Sequence, residues 1–177
     1  MSEVIKQKIR TIPNFPKKGI MFRDITSLLQ DPVGLKICID DFYKKYKNMT
    51  IDVVVGIDSR GFILGGALAY LLGKGFVPVR KKGKLPGKTI SESYDLEYGS
   101  ATLEIHTDSI KKGERVLIID DLLATGGTAL CTASLVRKIG GNIVELAFIV
   151  DLPELKGGEK LKEAGYKYYA QTEFEGE

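Results

Sequence analysis

Residues 115–129 read RVLIIDDLLATGGTA. Val116 to Ile119 are four consecutive β-formers, the pattern of a strand buried on both faces. Asp120 and Asp121 then put two carboxylates where this strand is expected to end. After Leu122 and Leu123 comes Ala124-Thr125-Gly126-Gly127-Thr128, and a helical pattern follows through Lys138. In an open α/β sheet, ligands bind outside the carboxyl ends of the strands. A Gly/Thr loop that opens a helix offers backbone N–H groups at the positive end of the helix dipole, which suits a phosphate. Adjacent carboxylates accept hydrogen bonds from vicinal hydroxyls or face a divalent cation. One turn thus offers groups for a phosphate and for a sugar.

The same syntax occurs upstream. Residues 51–57, IDVVVGI, read as a buried strand, followed by Asp58-Ser59-Arg60-Gly61 and a helix through about Leu72. Gly61, Gly65 and Gly66 lower helix propensity, which points to close packing or close ligand approach. Residues 76–82 form a third strand, with Pro78 pushing it toward an edge or bulged position. Ser100 to His106 alternates as a strand. Gly140-Gly141 stops the helix after the opening turn, and Asn142 to Val150 is another strand. A lysine-rich helical piece at 154–164 leads to a terminal YKYYA strand. Asp31-Pro32 opens a helix as N-cap and first helical residue, with Leu35, Ile39, Phe42, Tyr43 and Tyr46 on its core face. A short helix is expected at 3–9. This order predicts an α/β fold: a twisted, largely parallel sheet with helices on both faces, in one domain over residues 1–177.

Two stretches fit the frame less well. Residues 12–26 hold two prolines and a glycine, so they are extended or looping. Their Phe15, Met21, Phe22 and Arg23 leave two readings: an arm packed on the core, or a flap over a planar ligand. Residues 83–99 are the least core-like part and read as a long loop or hairpin. Loops of that length are often lids or disordered.

Composition excludes several classes. With 177 residues and a net charge of +3, there is no case for a nucleic-acid binder. Cys38 and Cys131 are far apart, with no CxxC and no Cys/His cluster, as in a reduced cytoplasmic protein. The longest apolar run, 62–72, is too short for a membrane span, which needs about 20 residues. MSEVIKQKIRTIPNF has no apolar signal region, so the expected location is cytoplasmic. Residues 83–89, GKLPGKT, imitate a P-loop but have three residues between the glycines where the motif needs four. Arg80, Lys81, Lys82, Lys84 and Lys88 form a basic cluster, either a solvated face or, with Arg60, a cage for a polyphosphate. His106 has no implied catalytic or metal partner and reads as structural.

VLIIDDLLATGGT resembles the phosphoribosyl-pyrophosphate-binding motif of the type I phosphoribosyltransferases. FPKKGIMFRDIT, GIDSRGF and RKKGKLPGKTISESYDLEYG are similar, in this order, to the adenine branch of that family. The resemblance implies transfer of ribose 5-phosphate from 5-phosphoribosyl 1-pyrophosphate to adenine, giving AMP and pyrophosphate. It also implies a set of roles. Ala124, Thr125, Gly126, Gly127 and Thr128 would wrap the 5′-phosphate, and Asp120 and Asp121 would hold the ribose hydroxyls. Asp58, Ser59 and Arg60, with a cis peptide after Asp58, would face the pyrophosphate. Arg80, Lys81 and Lys84 would serve it too, in part from the other subunit of a homodimer. The backbones of Met21 and Arg23 would read the adenine edge, with Leu152 against its face. Residues 1–30 would be the arm carrying this purine flap, and 83–99 a mobile hood. Glu97 would be the acid/base residue, with Tyr98 beside it and Glu104 the other candidate. Arg60 would act on the leaving group. Mg²⁺ would arrive with the substrate, with Asp120 or Asp121 reaching it through water and no direct protein ligand. The resemblance departs at Ile20-Met21, where relatives commonly carry branched aliphatics. Two competing readings are a transferase for another base and a non-catalytic phosphoribosyl-pyrophosphate-binding regulator.

Overall fold

A computed structural model describes residues 2–95 and 99–176. In chain order the elements are α1 (Ser2–Gln7), β1 (Arg10–Pro13), β2 (Met21–Asp24), α2 (Thr26–Gln30), α3 (Pro32–Tyr46), β3 (Val53–Ile57) and α4 (Arg60–Leu72). Then follow β4 (Gly75–Lys81), β5 (Thr89–Asp95), β6 (Ser100–His106), β7 (Arg115–Leu123), α5 (Gly127–Lys138) and β8 (Asn142–Asp151). A 3₁₀ turn (Pro153–Leu155), α6 (Gly157–Glu163) and β9 (Tyr168–Glu173) end the chain.

Seven strands make one sheet in the order β5-β6-β4-β3-β7-β8-β9. The five strands from β4 to β9 are parallel, and the β5–β6 hairpin adds an antiparallel edge. β7 lies between β3 and β8, and Val116 to Ile119 have no exposed surface. Such burial on both faces is why the stretch is apolar without alternation. One core packs Phe42 of α3 and Leu64 and Leu68 of α4 against Leu117 and Ile119. The other packs Ala133, Leu135 and Val136 of α5 and Leu161 of α6 against Val116 and Ile118. The predicted sheet with helices on both faces is the observed one. The predicted Asp31 cap is also present: its side chain accepts from Val33 N, with Pro32 opening α3.

Several boundaries differ from expectation. β7 does not end at Asp120. Its ladder with β8 continues through Asp120↔Phe148, Leu122↔Val150 and Leu123↔Asp151, because β8 is ten residues long. Residues 89–95 are a strand, so the hood region is half of a hairpin. Pro78 sits in an internal strand, but β6 pairs with β4 only at Arg80 and Lys81, so no neighbour on that side asks Pro78 for an N–H. The last strand is shifted to 168–173, and the helical piece at 154–164 is split by Lys156 at φ 60°.

Residues 10–24 form a separate two-stranded hairpin, β1–β2, in register Arg10↔Asp24 to Pro13↔Met21. Phe15 and Phe22 meet edge to face at 5.2 Å between ring centroids. At the hairpin base, Asp24 accepts from Thr26 Oγ1 at 2.6 Å and Thr26 N at 3.0 Å, and pairs with Arg10. The Thr26 hydroxyl, then the Arg10 guanidinium, hold the Asp24 carboxyl down at about 2, from an ordinary 3.8. A carboxyl depressed in the folded state adds stability above its unfolded pKa and loses it as pH falls through the folded one. Asp24→Asn is therefore expected to flatten the acid limb of stability between 3.8 and about 2, read as the urea midpoint against pH.

Candidate active site

The carboxyl ends of the parallel strands open into a cavity of about 370 Å³. Two strand-to-helix turns build most of its wall. Asp58, Ser59 and Arg60 come from the β3–α4 turn, and Asp120 and Asp121 from the last part of β7. Ala124 to Thr128 supply the loop and first turn of α5. Lys81, Tyr94, Leu103 and Phe148 close the remaining sides.

The geometry of each turn follows from its residues. The Asp58–Ser59 peptide bond is cis, as the resemblance implied. Gly61 lets the start of α4 approach β7: a Cβ there would stand 2.8 Å from the Ile119 carbonyl oxygen and 3.0 Å from Asp120 Oδ1. Gly126 caps α5 at φ 82° with no side-chain cap, so the first N–H groups of this 12-residue helix are left for an anion. The loop rests on α6, where Lys160 Nζ donates to the Thr125 carbonyl at 3.1 Å. A Gly126 Cβ would come within 3.2 Å of Gly157.

The charges are arranged in pairs. Arg60 Nε donates to Asp121 Oδ2 at 2.6 Å, with Asp121 buried and the Arg60 side chain 44% exposed. Arg80 Nε donates to Asp58 Oδ2 at 3.1 Å. Burial, then the neighbouring Asp121 charge, push the Asp120 carboxyl well above the usual carboxylate range. A cation or hydroxyl donor entering the cavity at Asp120 would lower it again. Asp120 pairs with β8 through its backbone and belongs to the cavity wall, while its Oδ1 accepts from Asp121 N at 2.9 Å.

Residues 24–173 match the family model described as "Phosphoribosyl transferase domain". An adenine phosphoribosyltransferase of Chlorobium chlorochromatii is 60% identical, over 98% of this chain and 99% of that protein. The chain belongs to the adenine phosphoribosyltransferase family. Another member, from Chlorobium phaeobacteroides, is 59% identical over the same shares. The solved adenine phosphoribosyltransferase of Thermoanaerobacter pseudethanolicus superposes with a TM-score of 0.93 at 46% identity, covering 98% of this chain and 100% of that one. The Saccharomyces cerevisiae enzyme, solved with an imino-altritol bisphosphate and adenine, gives 0.90 at 38% identity, covering 96% and 97%.

The residues singled out from sequence fall into groups. Asp58, Ser59, Arg60, Lys81, Asp120, Asp121 and Ala124 to Thr128 share the cavity. Arg80 lies behind it on Asp58, and its Nη1 also donates to the Lys84 carbonyl at 3.3 Å. Lys84 does not line the cavity. Met21, Arg23 and Leu152 stand outside its wall, on β2 and just after β8, with Met21 exposed. Leu152 N donates to the Leu123 carbonyl at 3.0 Å, which ties it to the end of β7. Glu97 and Tyr98 lie outside the described residues. Glu104 is buried and accepts from Lys84 N at 3.0 Å and Leu85 N at 2.8 Å. Burial alone would raise its pKa, but the backbone donors at Leu85, Gly83 and Lys84 outweigh it and hold the carboxyl below its ordinary value. His106 Nε2 stands 2.7 Å from the Pro86 carbonyl oxygen, in keeping with a structural role.

Two residues escaped the sequence reading. Tyr94 lines the cavity, and its hydroxyl is 2.9 Å from Thr128 Oγ1. Ile90, Glu92 and Tyr94 are the less exposed positions of β5. That period of two was legible in ISESYD, but a glutamate at its middle position obscured it. Gly157 is the other. Its signal was the Gly-Gly pair opening a lysine-rich helix, which says nothing of what lies against it.

Proposed function

We propose that this cavity transfers ribose 5-phosphate from 5-phosphoribosyl 1-pyrophosphate to adenine, yielding AMP and pyrophosphate. The observation that carries the reading is the joining of three groups in one cavity: the open α5 N-terminus, the Asp120–Asp121 pair and the Asp58–Ser59–Arg60 turn. A phosphate, a ribose and a pyrophosphate need these three kinds of partner.

In this reading the amides of 124–128 and the hydroxyls of Thr125 and Thr128 hold the 5′-phosphate. Asp120 and Asp121 accept from the ribose hydroxyls. Ser59, Arg60 and Lys81 bind the departing pyrophosphate, with Arg80 braced by Asp58. Holding both ends of the substrate fixes the anomeric carbon and reduces the entropic part of the barrier. As the bond to pyrophosphate breaks, negative charge grows on the leaving oxygen next to Arg60, where preorganised donors stabilise it. Adenine is received between the Met21 and Arg23 backbones and Leu152. Glu97, with Tyr98, exchanges a proton with the purine, and the hood shields the electrophile from water.

Mg²⁺ belongs to the same proposal. Two adjacent carboxylates fit a divalent ion only in part, since magnesium takes about six oxygens. Substrate phosphate oxygens and water would supply them, with Asp120 or Asp121 reaching the ion through water. The ion would neutralise pyrophosphate charge.

A homodimer is supported by α4. Its sequence RGFILGGALAYLL is apolar on all sides, and Ile63, Tyr70 and Leu71 are exposed. A helix of that kind is normally covered. Lys84, which does not line this chain's cavity, fits a role in a partner's site. Cys38 and Cys131 are free and buried, as suits a cytoplasmic setting.

Incubation with phosphoribosyl pyrophosphate, Mg²⁺ and each base in turn tests the reaction: AMP with adenine alone is expected, and product with another base only would overturn it. Thr128→Val is expected to weaken phosphoribosyl pyrophosphate binding about tenfold, the loss of one hydrogen bond to a charged group. Calorimetric titration reads it, and unchanged binding removes Thr128 from the cradle.

A further inference from the structure

We infer that the Arg23 side chain and residues 174–176 form a clasp that sets the distance between the β1–β2 flap and the Leu152 segment. Arg23 and Phe174 are thereby positioning residues for the purine. The inference rests on the proposed base site between Met21, Arg23 and Leu152.

The flap needs an external brace. It is a two-stranded hairpin that joins no strand of the main sheet, and isolated hairpins are marginal in water. The neighbours Asp24 and Arg23 on β2 tie it separately, Asp24 to Arg10 and Thr26 and Arg23 to the C-terminal segment. Arg23 Nη1 donates to Thr11 Oγ1 at 2.7 Å, across the hairpin. Its Nη2 donates to the Glu175 carbonyl at 3.0 Å, 152 residues away in the chain. Its Cζ lies 4.5 Å from the centroid of the Phe174 ring. Lys6 Nζ from α1 reaches the same ring at 5.0 Å. Both distances fall in the range of cation–π attraction.

The other end of the clasp grips the Leu152 segment on both sides. Phe174 N donates to the Asp151 carbonyl at 3.1 Å, and Gly176 N donates to Glu154 Oε1 at 2.9 Å. Leu152 sits between these two anchors. Phe174 is itself buried at 8% exposure and belongs to the α3–α4 core, so the clasp is fixed to the body of the protein. Arg23 Nε is buried with no partner. The guanidinium is thus kept in a place that leaves one of its donors unused, which its other three contacts must offset. Base recognition through flap backbone needs that backbone to be fixed, and a small displacement in a binding geometry is costly in rate.

Steady-state kinetics on the full chain test this. Arg23→Met keeps the apolar stem and removes the guanidinium, and Phe174→Leu removes the ring. Both are expected to raise the KM for adenine about tenfold, as one lost charge-assisted contact would, with the KM for phosphoribosyl pyrophosphate within about twofold. Phe174→Tyr keeps the ring and is expected to restore the adenine KM. Leu152→Ala separates the clasp from the base site it serves. If Leu152→Ala raises the adenine KM while Arg23→Met and Phe174→Leu do not, the clasp is overturned and the base site stands. If Leu152→Ala has no effect, the base site fails and the clasp with it. A parallel rise in both KM values would mean general loosening, and would also overturn it.

Discussion

Glu97→Gln is expected to lower kcat by about 10²–10⁴-fold, the usual worth of general acid–base catalysis, while leaving phosphoribosyl pyrophosphate binding intact. The family resemblance implies Glu97 as the residue that exchanges a proton with the purine, with Glu104 the other candidate. Glu104 is already engaged: it is buried, and its Oε1 receives the N–H groups of Lys84 and Leu85. Those donors keep it ionised and hold it at the turn after β4. Glu97 follows Asp95 by two residues, and the Asp95 carbonyl oxygen lies 3.7 Å from where a Gly127 Cβ would stand. Asp95 thus stands beside Gly127, a residue of the cavity wall. Gln at 104 would put an amide where backbone donors converge, with a stability cost of about 1–3 kcal/mol. A lower thermal midpoint with near-normal kcat is expected for Glu104→Gln, and the reverse for Glu97→Gln. Pre-steady-state and equilibrium measurements separate chemistry from binding. If Glu104→Gln cuts kcat at unchanged stability, the two roles are exchanged.

What could be read from sequence was local. VLII and VVVGI are contiguous apolar runs followed by polar or glycine turns, so both strand–turn–helix units were visible within about 15 residues each. Their meeting was not. Arg60 pairs with Asp121 across 61 positions, and nothing in either segment names the other. The helix-side glycines had a visible cost in propensity, but only the fold tells which atoms they admit: Ile119 and Asp120 at Gly61, and the Phe76 ring at Gly65. β5 was obscured for a different reason. It is an edge strand over α5, with Glu92 turned inward and Lys138 Nζ 3.2 Å from its carboxylate. A charged residue on the inner face blurs the alternation that marks a half-buried strand. β7 was read too short because a pair of aspartates looks like a strand end, whereas the length of β8 kept the ladder going. The Arg23–Phe174 contact joins the two ends of the chain and carries no local signal at all.

Gly157→Ala is expected to raise the KM for phosphoribosyl pyrophosphate by about a hundredfold, the scale on which a misplacement near 1 Å acts. Gly157 lies 29 positions past Thr128, the end of the cradle, and belongs to no part of the phosphate motif. A Cβ there would press on the Ala124 carbonyl oxygen and stand 3.0 Å from Gly126 N and 3.0 Å from Leu123 Cδ1. Two of these three neighbours are backbone atoms of the loop itself, so no side chain can rotate away. The loop or α6 must move. α6 is held by Leu161, fully buried in the second core, and by the Tyr166 N–H on the Leu161 carbonyl at 2.9 Å. The loop, whose Gly126 has a left-handed φ and whose helix end lacks a side-chain cap, is the softer partner. It should therefore be the cradle that shifts. Overpacking of this kind costs about 1–3 kcal/mol, which a 177-residue α/β domain tolerates while remaining folded. The Asp58–Ser59–Arg60 turn is on the far wall, so pyrophosphate binding alone should change much less. Gly75→Ala is the control, since a Cβ there meets nothing within 4 Å. Titration of both variants with ribose 5-phosphate and with pyrophosphate reads the two subsites separately. Equal weakening of both ligands, or none of either, would break the link between α6 and the 5′-phosphate.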